Sequence, residues 1–447
     1  MKYRSTNKKI KNISFKDAIF QGLAADGGLF MPERFFGLSL EFIGSLSKKE
    51  FWEIALEISR KFISEIPRKD LKKIIKDSFN FEIPLIKLEN NLYVLELFHG
   101  PTLAFKDFGA RFMARVMGYF LKKNKKKIKI IVATSGDTGS AVGSGFYGAP
   151  NIKVYILYPR GKVSLLQEKQ LTTFGGNIIA VEVGGNFDDC QRMAKAVLSN
   201  KKINGNNEFS SANSINFGRL LPQMFYYFWG YAQLIKPNVI SQMLNVVFCV
   251  PSGNFGNLTA GLMAKRLGLP ATEFIAATNA NDVVPQYLKT GKFVSRISRK
   301  TISNAMDVGN PSNFTRMLDL YGNSRQKMKK DITGLCITDK ETKKTIKSIY
   351  DKTGYILDPH TAVAVAAAKK SGIKNPIIAL ATAHPIKFRD IVEPIIKKKI
   401  IIPEEIKKAM AKRKKFIAIG NDIKELERIL VGARGGSRTR MSFDERS

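Results

Sequence analysis

Ile128-Lys129-Ile130-Ile131-Val132-Ala133, followed at once by Thr134-Ser135-Gly136-Asp137-Thr138-Gly139, is the stretch that decides the fold class. A short apolar run rich in β-branched residues reads as a buried strand. The small residues after it read as a tight turn, and the chain from about Ser140 as a helix. The same order of strand, Gly-rich turn and helix recurs after Asn91 to Leu97, Val154 to Tyr158, Asn245 to Val250, Phe274 to Ala277 and Ile377 to Ala381. Strands alternating with helices make βαβ units, which build doubly wound, mostly parallel sheets. The expected class is α/β, with ligands bound beyond the carboxyl ends of the strands. Residues up to about 90 read differently, as a mixed and largely helical segment. There Phe51, Ile54, Ala55 and Ile58 share one helical face, and Ser47 with Glu50 is expected to cap that helix.

Composition narrows the class further. The chain has 447 residues, 44% hydrophobic and 10% aromatic, enough for a sizeable core. No apolar run approaches the roughly 20 residues that cross a bilayer. Residues 1–15 are basic but lack the apolar centre of a secretory signal, so a cytoplasmic chain without membrane spans is expected. Cys190, Cys249 and Cys336 lie far apart with no CxxC pair, and His99, His360 and His384 form no HExxH helix. No metal site is expected. The net charge of +35 invites a nucleic-acid partner. Against that, the lysines come in short clusters at the ends of apolar patterns, without the interleaved aromatics that stack bases. A small-molecule partner, not a nucleic acid, is the expectation, and an anionic substrate would gain from the positive field.

The loops after the strands hold the chemistry. His99-Gly100-Pro101-Thr102-Leu103-Ala104-Phe105-Lys106 leads into a helix whose buried face is expected to be Phe105, Phe108, Phe112, Val116 and Tyr119. Lys106 falls in the first turn, where the helix dipole disfavours a cation by roughly 0.3–1 kcal/mol. It reads either as a lysine that works as a neutral amine in covalent chemistry or as one that reaches out to solvent. Ser135, Gly136, Asp137 and Thr138 offer amides and hydroxyls to an anion of carboxylate size, or form an ordinary capped turn. Gly253, Asn254, Phe255, Gly256 and Asn257 open another helix and suit a phosphate, or again an ordinary turn. Arg160 and Lys162, with Asn216 and Arg219 from Ser211 to Arg219, make a candidate second phosphate site, or a solvated basic turn. Thr382, after the last strand, could face a pyridine nitrogen. Gly143-Ser144-Gly145-Phe146-Tyr147-Gly148 matches GxGxxG but lies inside or after a helix, the wrong setting for a dinucleotide.

Taken in order, HGPTLAFKDFGARF, ATSGDTGSA, YPRGKVSLLQEKQ, SSANSINFGRLLPQ, VPSGNFGNLTAG, ATNANDVVP, TISNAMDVGNPSN, DPHTAVA and ATAHPIKF resemble the threonine synthases, as does the opening SFKDAIFQGLAADGGLFMPE. The resemblance runs from about residue 1 to 425. It implies a fold like the tryptophan-synthase β-subunit group, two α/β domains enclosing pyridoxal 5'-phosphate. It also implies an N-terminal segment over 1–90, a catalytic region of two interleaved subdomains over 91–430, and a tail over 432–447 whose change of composition reads as disorder. Carried over by motif, Lys106 would be the Schiff-base lysine, Gly253 to Asn257 would hold the cofactor phosphate, and Thr382 would meet the pyridine nitrogen. Ser135, Gly136, Asp137 and Thr138 would take the substrate carboxylate, Asp137 standing where the wider group often carries asparagine. Arg160, Lys162, Asn216 and Arg219 would take the substrate phosphate. The implied reaction is β,γ-replacement on O-phospho-L-homoserine, giving L-threonine and phosphate. A cofactor-dependent lyase or dehydratase acting on serine or threonine shares the lysine and the Gly-rich loops and stays open, as does a phospholyase acting on another phosphorylated amine.

Overall fold

The apolar runs become parallel strands, and the turns after them lead into helices. The structure, a computed structural model, describes residues 1–124, 126–200, 209–236 and 244–431. The tail expected over 432–447 lies outside the described residues. Two compact units emerge. One comprises residues 1–2, 31–105 and 220–401; the other comprises 3–30, 106–219 and the residues from 402 onwards. The first 90 residues are therefore shared between the units, and their helical part (Phe15–Gln21, Leu40–Gly44, Phe51–Phe62, Arg68–Ser78) is minor.

The first unit carries six strands in the spatial order Ile332–Cys336, Ala271–Thr278, Val246–Pro251, Ile377–Ala381, Leu92–Glu96, Leu85–Glu89. All neighbours are parallel except the last two, which run antiparallel. Every residue of Val246–Pro251 and Ile377–Ala381 is buried, as central strands covered on both faces require. The chain steps outward from Val246–Pro251 to Ala271–Thr278 to Ile332–Cys336. It then returns to place Ile377–Ala381 on the other side of Val246–Pro251. The loops of those two neighbours thus leave in opposite senses and open a crevice between them.

The second unit repeats the device with five parallel strands in the order Ile417–Ile419, Ile178–Val183, Ile152–Pro159, Ile128–Ala133, Phe209–Ser211. Here the order reverses between Ile128–Ala133 and Phe209–Ser211. The helix Lys106–Asn124 packs on the helix Asp137–Phe146 in the same unit. Burying side chains such as Phe108 and Phe112 completely stabilises this packing by about 1.5–3 kcal/mol each.

Several expectations are corrected. The helix Phe51–Phe62 is capped by Glu50, with Glu53 reaching back to the Glu50 amide, while Ser47 sits in a 3₁₀ turn, Leu46–Lys48. The buried face of Lys106–Asn124 is broader than one stripe: Ala110, Met113 and Met117 are also buried, whereas Phe105 and Tyr119 are only half-buried. Gly143 and Gly145 lie within the helix Asp137–Phe146, where lack of a side chain admits close neighbours. A Cβ on Gly145 would come within 2.9 Å of the Ala110 carbonyl carbon, and one on Gly143 within 2.6 Å of the Phe174 ring. These glycines serve packing.

The contrast with Gly118, where an added Cβ meets nothing within 4 Å, gives a test. Gly118→Ala should raise stability by about 0.5–1 kcal/mol by restricting the unfolded chain. Gly145→Ala should lower it by about 1–3 kcal/mol through overpacking against rigid backbone. Urea unfolding midpoints of the two variants check both signs.

Candidate active site

In the first unit the two loops at the reversal point are 252–257 and the turn beginning at Thr382. Phe255 adopts a left-handed backbone (φ 60°) and caps the helix Gly256–Arg266, so the first amides of that helix have no intrahelical acceptor. Gly253 lies against main chain, a Cβ there falling within 2.8 Å of the Met306 Cα. Asn257 is anchored from behind: its Oδ1 accepts from the Tyr226 hydroxyl (2.7 Å) and the Tyr227 hydroxyl (2.8 Å). Burial pushes both phenols well above their ordinary range, which keeps them donors. The Asn257 Nδ2 is buried and has no hydrogen-bond partner. A buried donor left open beside a helix N-terminus is what a phosphate needs, so the residues fit the cofactor phosphate that the motif implies.

The loop is supported on its far side. Asn254 accepts at its carbonyl from the Asn313 amide (3.3 Å) and at Oδ1 from the Ser312 amide (3.3 Å). The fully buried Arg316 donates to the Asn313 Oδ1 at 2.7 Å, and desolvation lowers its pKa to about 9. His360 accepts the Ala305 amide on Nε2 (3.1 Å) while its Nδ1 meets Asp358 (2.9 Å), which holds the ring in place. Asn279 ties Thr301, Ser303 and Asp307 together and holds the segment on which Gly253 rests. Thr382 is nearly buried, and its carbonyl accepts the Phe105 amide at 2.9 Å. At the same end of the sheet Glu96 joins His99 (2.6 Å) and the Tyr355 hydroxyl (2.6 Å). His384 accepts the Ile386 amide on Nδ1. Burial lowers its pKa from 6.5 to about 4, and the charge of His99 acts in the same direction.

In the second unit Lys106 opens its helix and its Nζ lies 3.9 Å from the Asp137 Oδ2. That carboxylate offsets the unfavourable end of the dipole. Ser135 is exposed and Thr138 half-buried, leaving both able to meet a ligand. Gly136 (φ 137°) has a conformation only glycine enters freely. Thr134 Oγ1 already takes the amides of Gly136 (3.0 Å) and Gly139 (2.9 Å), so the turn has fewer open donors than its composition implied. Asp137 is held by Gln167, a residue that motif reading passed over. The signal was present, since Ser164 with Gln167 is a capping box and the structure forms it.

The second phosphate site is gathered only in part. Arg160 and Lys162 are exposed in the turn after Ile152–Pro159, Arg160 placing its Nε on Glu182 at 2.8 Å. Asn216 does not join them: it is fully buried, gives Nδ2 to the carbonyls of Ile19 and Ser211 (2.8 Å each) and accepts the Gly218 amide. Arg219 is likewise internal, donating to the Ala212 carbonyl at 2.5 Å, with Asp107 offsetting its desolvation. These two residues lie in the interior of the second unit, where most polar groups taken from water find a partner.

With this geometry in hand, known proteins can be compared. A family model described as pyridoxal-phosphate dependent enzyme matches residues 79–382. Models for the threonine synthase N terminus and C-terminal region match residues 2–79 and 361–430. A threonine synthase of Haemophilus influenzae is 45% identical, over 89% of this chain and 92% of its own. That of Escherichia coli is 43% identical, over 91% and 94%. The crystal structure of the E. coli threonine synthase superposes with a TM-score of 0.89 at 40% identity, covering 97% of this chain and all of that one. A threonine synthase from Brucella melitensis with bound pyridoxal phosphate superposes at 0.90 and 35% identity, covering 96% and 98%.

His384 supplies a pH prediction. Held neutral when folded, it takes up a proton on unfolding once the pH drops below 6.5, and stability falls until the folded form titrates near pH 4. The loss across that window should be on the order of 2–3 kcal/mol. His384→Asn keeps an acceptor for the Ile386 amide but does not titrate. Urea unfolding at pH 7 and pH 4.5 should show a smaller acid loss in that variant than in the wild type.

Proposed function

The chain belongs to the threonine synthase family, and from that premise we propose how its residues divide the conversion of O-phospho-L-homoserine and water into L-threonine and phosphate. The enzyme is a phosphate-eliminating carbon–oxygen lyase that depends on pyridoxal phosphate. When bound, that group supplies an electron sink for carbanions formed on the substrate. The observation that carries the residue assignment is the buried, open amide of Asn257 at a helix start, in the loop where the motif places the cofactor phosphate.

In our reading, the amides of Gly253, Asn254, Phe255, Gly256 and Asn257 would hold the cofactor phosphate, and the neutral hydroxyl of Thr382 would meet a pyridine nitrogen that need not be protonated. Lys106 binds the cofactor covalently at rest. As a free amine it moves protons at the α and β carbons of the substrate, with Asp137 as its charged neighbour. Ser135, Gly136 and Thr138 grip the substrate carboxylate, which fixes the plane in which the α proton leaves. Arg160 and Lys162 draw the substrate phosphate, the leaving group at the γ carbon, and stabilise it as it departs. Asn216 and Arg219 are left out, since Asn216 is engaged by main-chain groups and Arg219 is buried with one of its donors on the Ala212 carbonyl. The domain division over 91–430 is kept as one catalytic region of two α/β halves. A cytoplasmic location suits three free cysteines, two of them buried.

Two measurements test this. Lys106→Ala should lose the absorbance of the covalently held cofactor and all threonine formation; retained turnover would sink the assignment. Neutralising Arg160 and Lys162 together should raise KM for O-phospho-L-homoserine by about tenfold or more, the worth of one charge-assisted contact. An unchanged KM would move the phosphate site elsewhere.

A further inference from the structure

We infer that Gln167 is a positioning residue for Lys106, holding Asp137 so that one carboxylate oxygen is spent on Gln167 and the other is presented to the lysine. The inference rests on the assignment of Lys106 as the cofactor lysine. Gln167 Nε2 donates to Asp137 Oδ1 at 3.0 Å, and Asp137 Oδ2 stands 3.9 Å from Lys106 Nζ. The orientation of the Gln167 amide is fixed at both ends. Its Oε1 accepts from the Ser164 amide (3.4 Å) and hydroxyl (3.2 Å), so only the nitrogen is left for the carboxylate. Gln167 and Asp137 are both nearly fully buried. Gly136 admits this approach, since a Cβ there would fall 2.6 Å from the Gln167 Cδ. Three separated sequence elements therefore converge on one carboxylate.

An amide donor and a neighbouring lysine both favour the charged form of a buried carboxylate, and with one oxygen engaged it cannot turn both away from the lysine. Three other carboxylates of the second unit act on cations of their own. Asp107 acts on the buried Arg219, Glu168 pairs with Lys414 at 2.7 Å, and Arg160 pairs with Glu182. Asp137 is thus the carboxylate of this unit set beside Lys106.

The test uses full-length holoenzyme carrying Gln167→Met, Gln167→Glu or Ser164→Ala, with absorption spectra recorded across pH. The cofactor-linked nitrogen of Lys106 is part of the chromophore, so the spectral midpoint reports its protonation. Gln167→Met leaves Asp137 without its donor, favours the neutral acid and should lower the midpoint by about one pH unit or more. Gln167→Glu can share a proton with Asp137 and keeps at least one negative charge there, so the midpoint should not fall. Ser164→Ala breaks the capping box but spares the Asp137 contact, and should cost stability without moving the midpoint. A Gln167→Met midpoint equal to wild type, or the same drop in all three variants, overturns the inference. If Gln167→Met does not fold, Gln167→Glu decides, a lowered midpoint overturning the inference and an unchanged or raised one supporting it. Borohydride reduction and peptide mapping of the wild type run alongside. Cofactor fixed to a lysine other than Lys106 overturns the assignment beneath the inference, whatever the Gln167 variants show.

Discussion

Parallel pairing is the constraint from which the rest of this structure follows. A strand can lie parallel to its neighbour only if the chain crosses back over the sheet, so each strand ends at the same edge and each crossover helix begins there. Helix N-termini, with amides that have no partner inside the helix, are thereby collected at one edge of each sheet. Where the strand order reverses, adjacent loops diverge and leave room for a ligand. In the first unit that point lies between Val246–Pro251 and Ile377–Ala381, the strands before the Gly253 loop and Thr382. In the second it lies between Ile128–Ala133, which precedes Ser135 to Thr138, and Phe209–Ser211.

Having gathered the amides, the fold leaves some open and satisfies many of the others. Thr134 takes two amides of its own turn, and Asn213 exchanges hydrogen bonds with both main-chain groups of Ala133. Tyr226 and Tyr227 occupy the Asn257 carbonyl oxygen and so aim its amide nitrogen elsewhere. Leaving a buried donor unmade costs about 1–3 kcal/mol, which makes the rare open ones informative. Such a donor is tolerated in a site whose ligand repays the deficit on binding.

How much of this could be read from the chain depends on how local each feature is. Ile128–Ala133 and Ile377–Ala381 were placed to the residue, because strands buried on both faces are almost continuously apolar, Lys129 being the one polar residue of the two. Ile178–Val183 was missed: it alternates with half-buried positions and carries Glu182. Phe209–Ser211 and Ile417–Ile419 have three residues each, too few for any period to show. Capping failed by one turn, because Glu50 and Glu53 satisfy the same geometry as Ser47 and Glu50 and the chain bends after Lys48. Among the candidate site residues, the glycines and the lysine stand out in sequence since backbone conformation and chemistry restrict those positions. Asn216 and Arg219 were misread, because an amide or guanidinium shows its type in sequence but not its partner. Their partners, Ile19, Ser211 and Ala212, are brought to them only by tertiary packing.

The same distinction explains why a net charge of +35 says little about the chemistry. Charges exposed to solvent are screened beyond about 10 Å at moderate salt, so the lysine clusters act on encounter with an anion more than on its reaction. Within the second unit two buried carboxylates act at short range: Asp137 beside Lys106, and Asp107 on Arg219. A cation at a helix N-terminus is unfavourable by itself, and a buried carboxylate at 3.9 Å removes that penalty where the lysine must sit. That carboxylate needs a donor to stay charged out of water, and Gln167 provides it from the helix whose own start it caps. The surroundings of Lys106 are therefore set by a buried carboxylate and a neutral amide distant in sequence, neither of which the overall charge reveals.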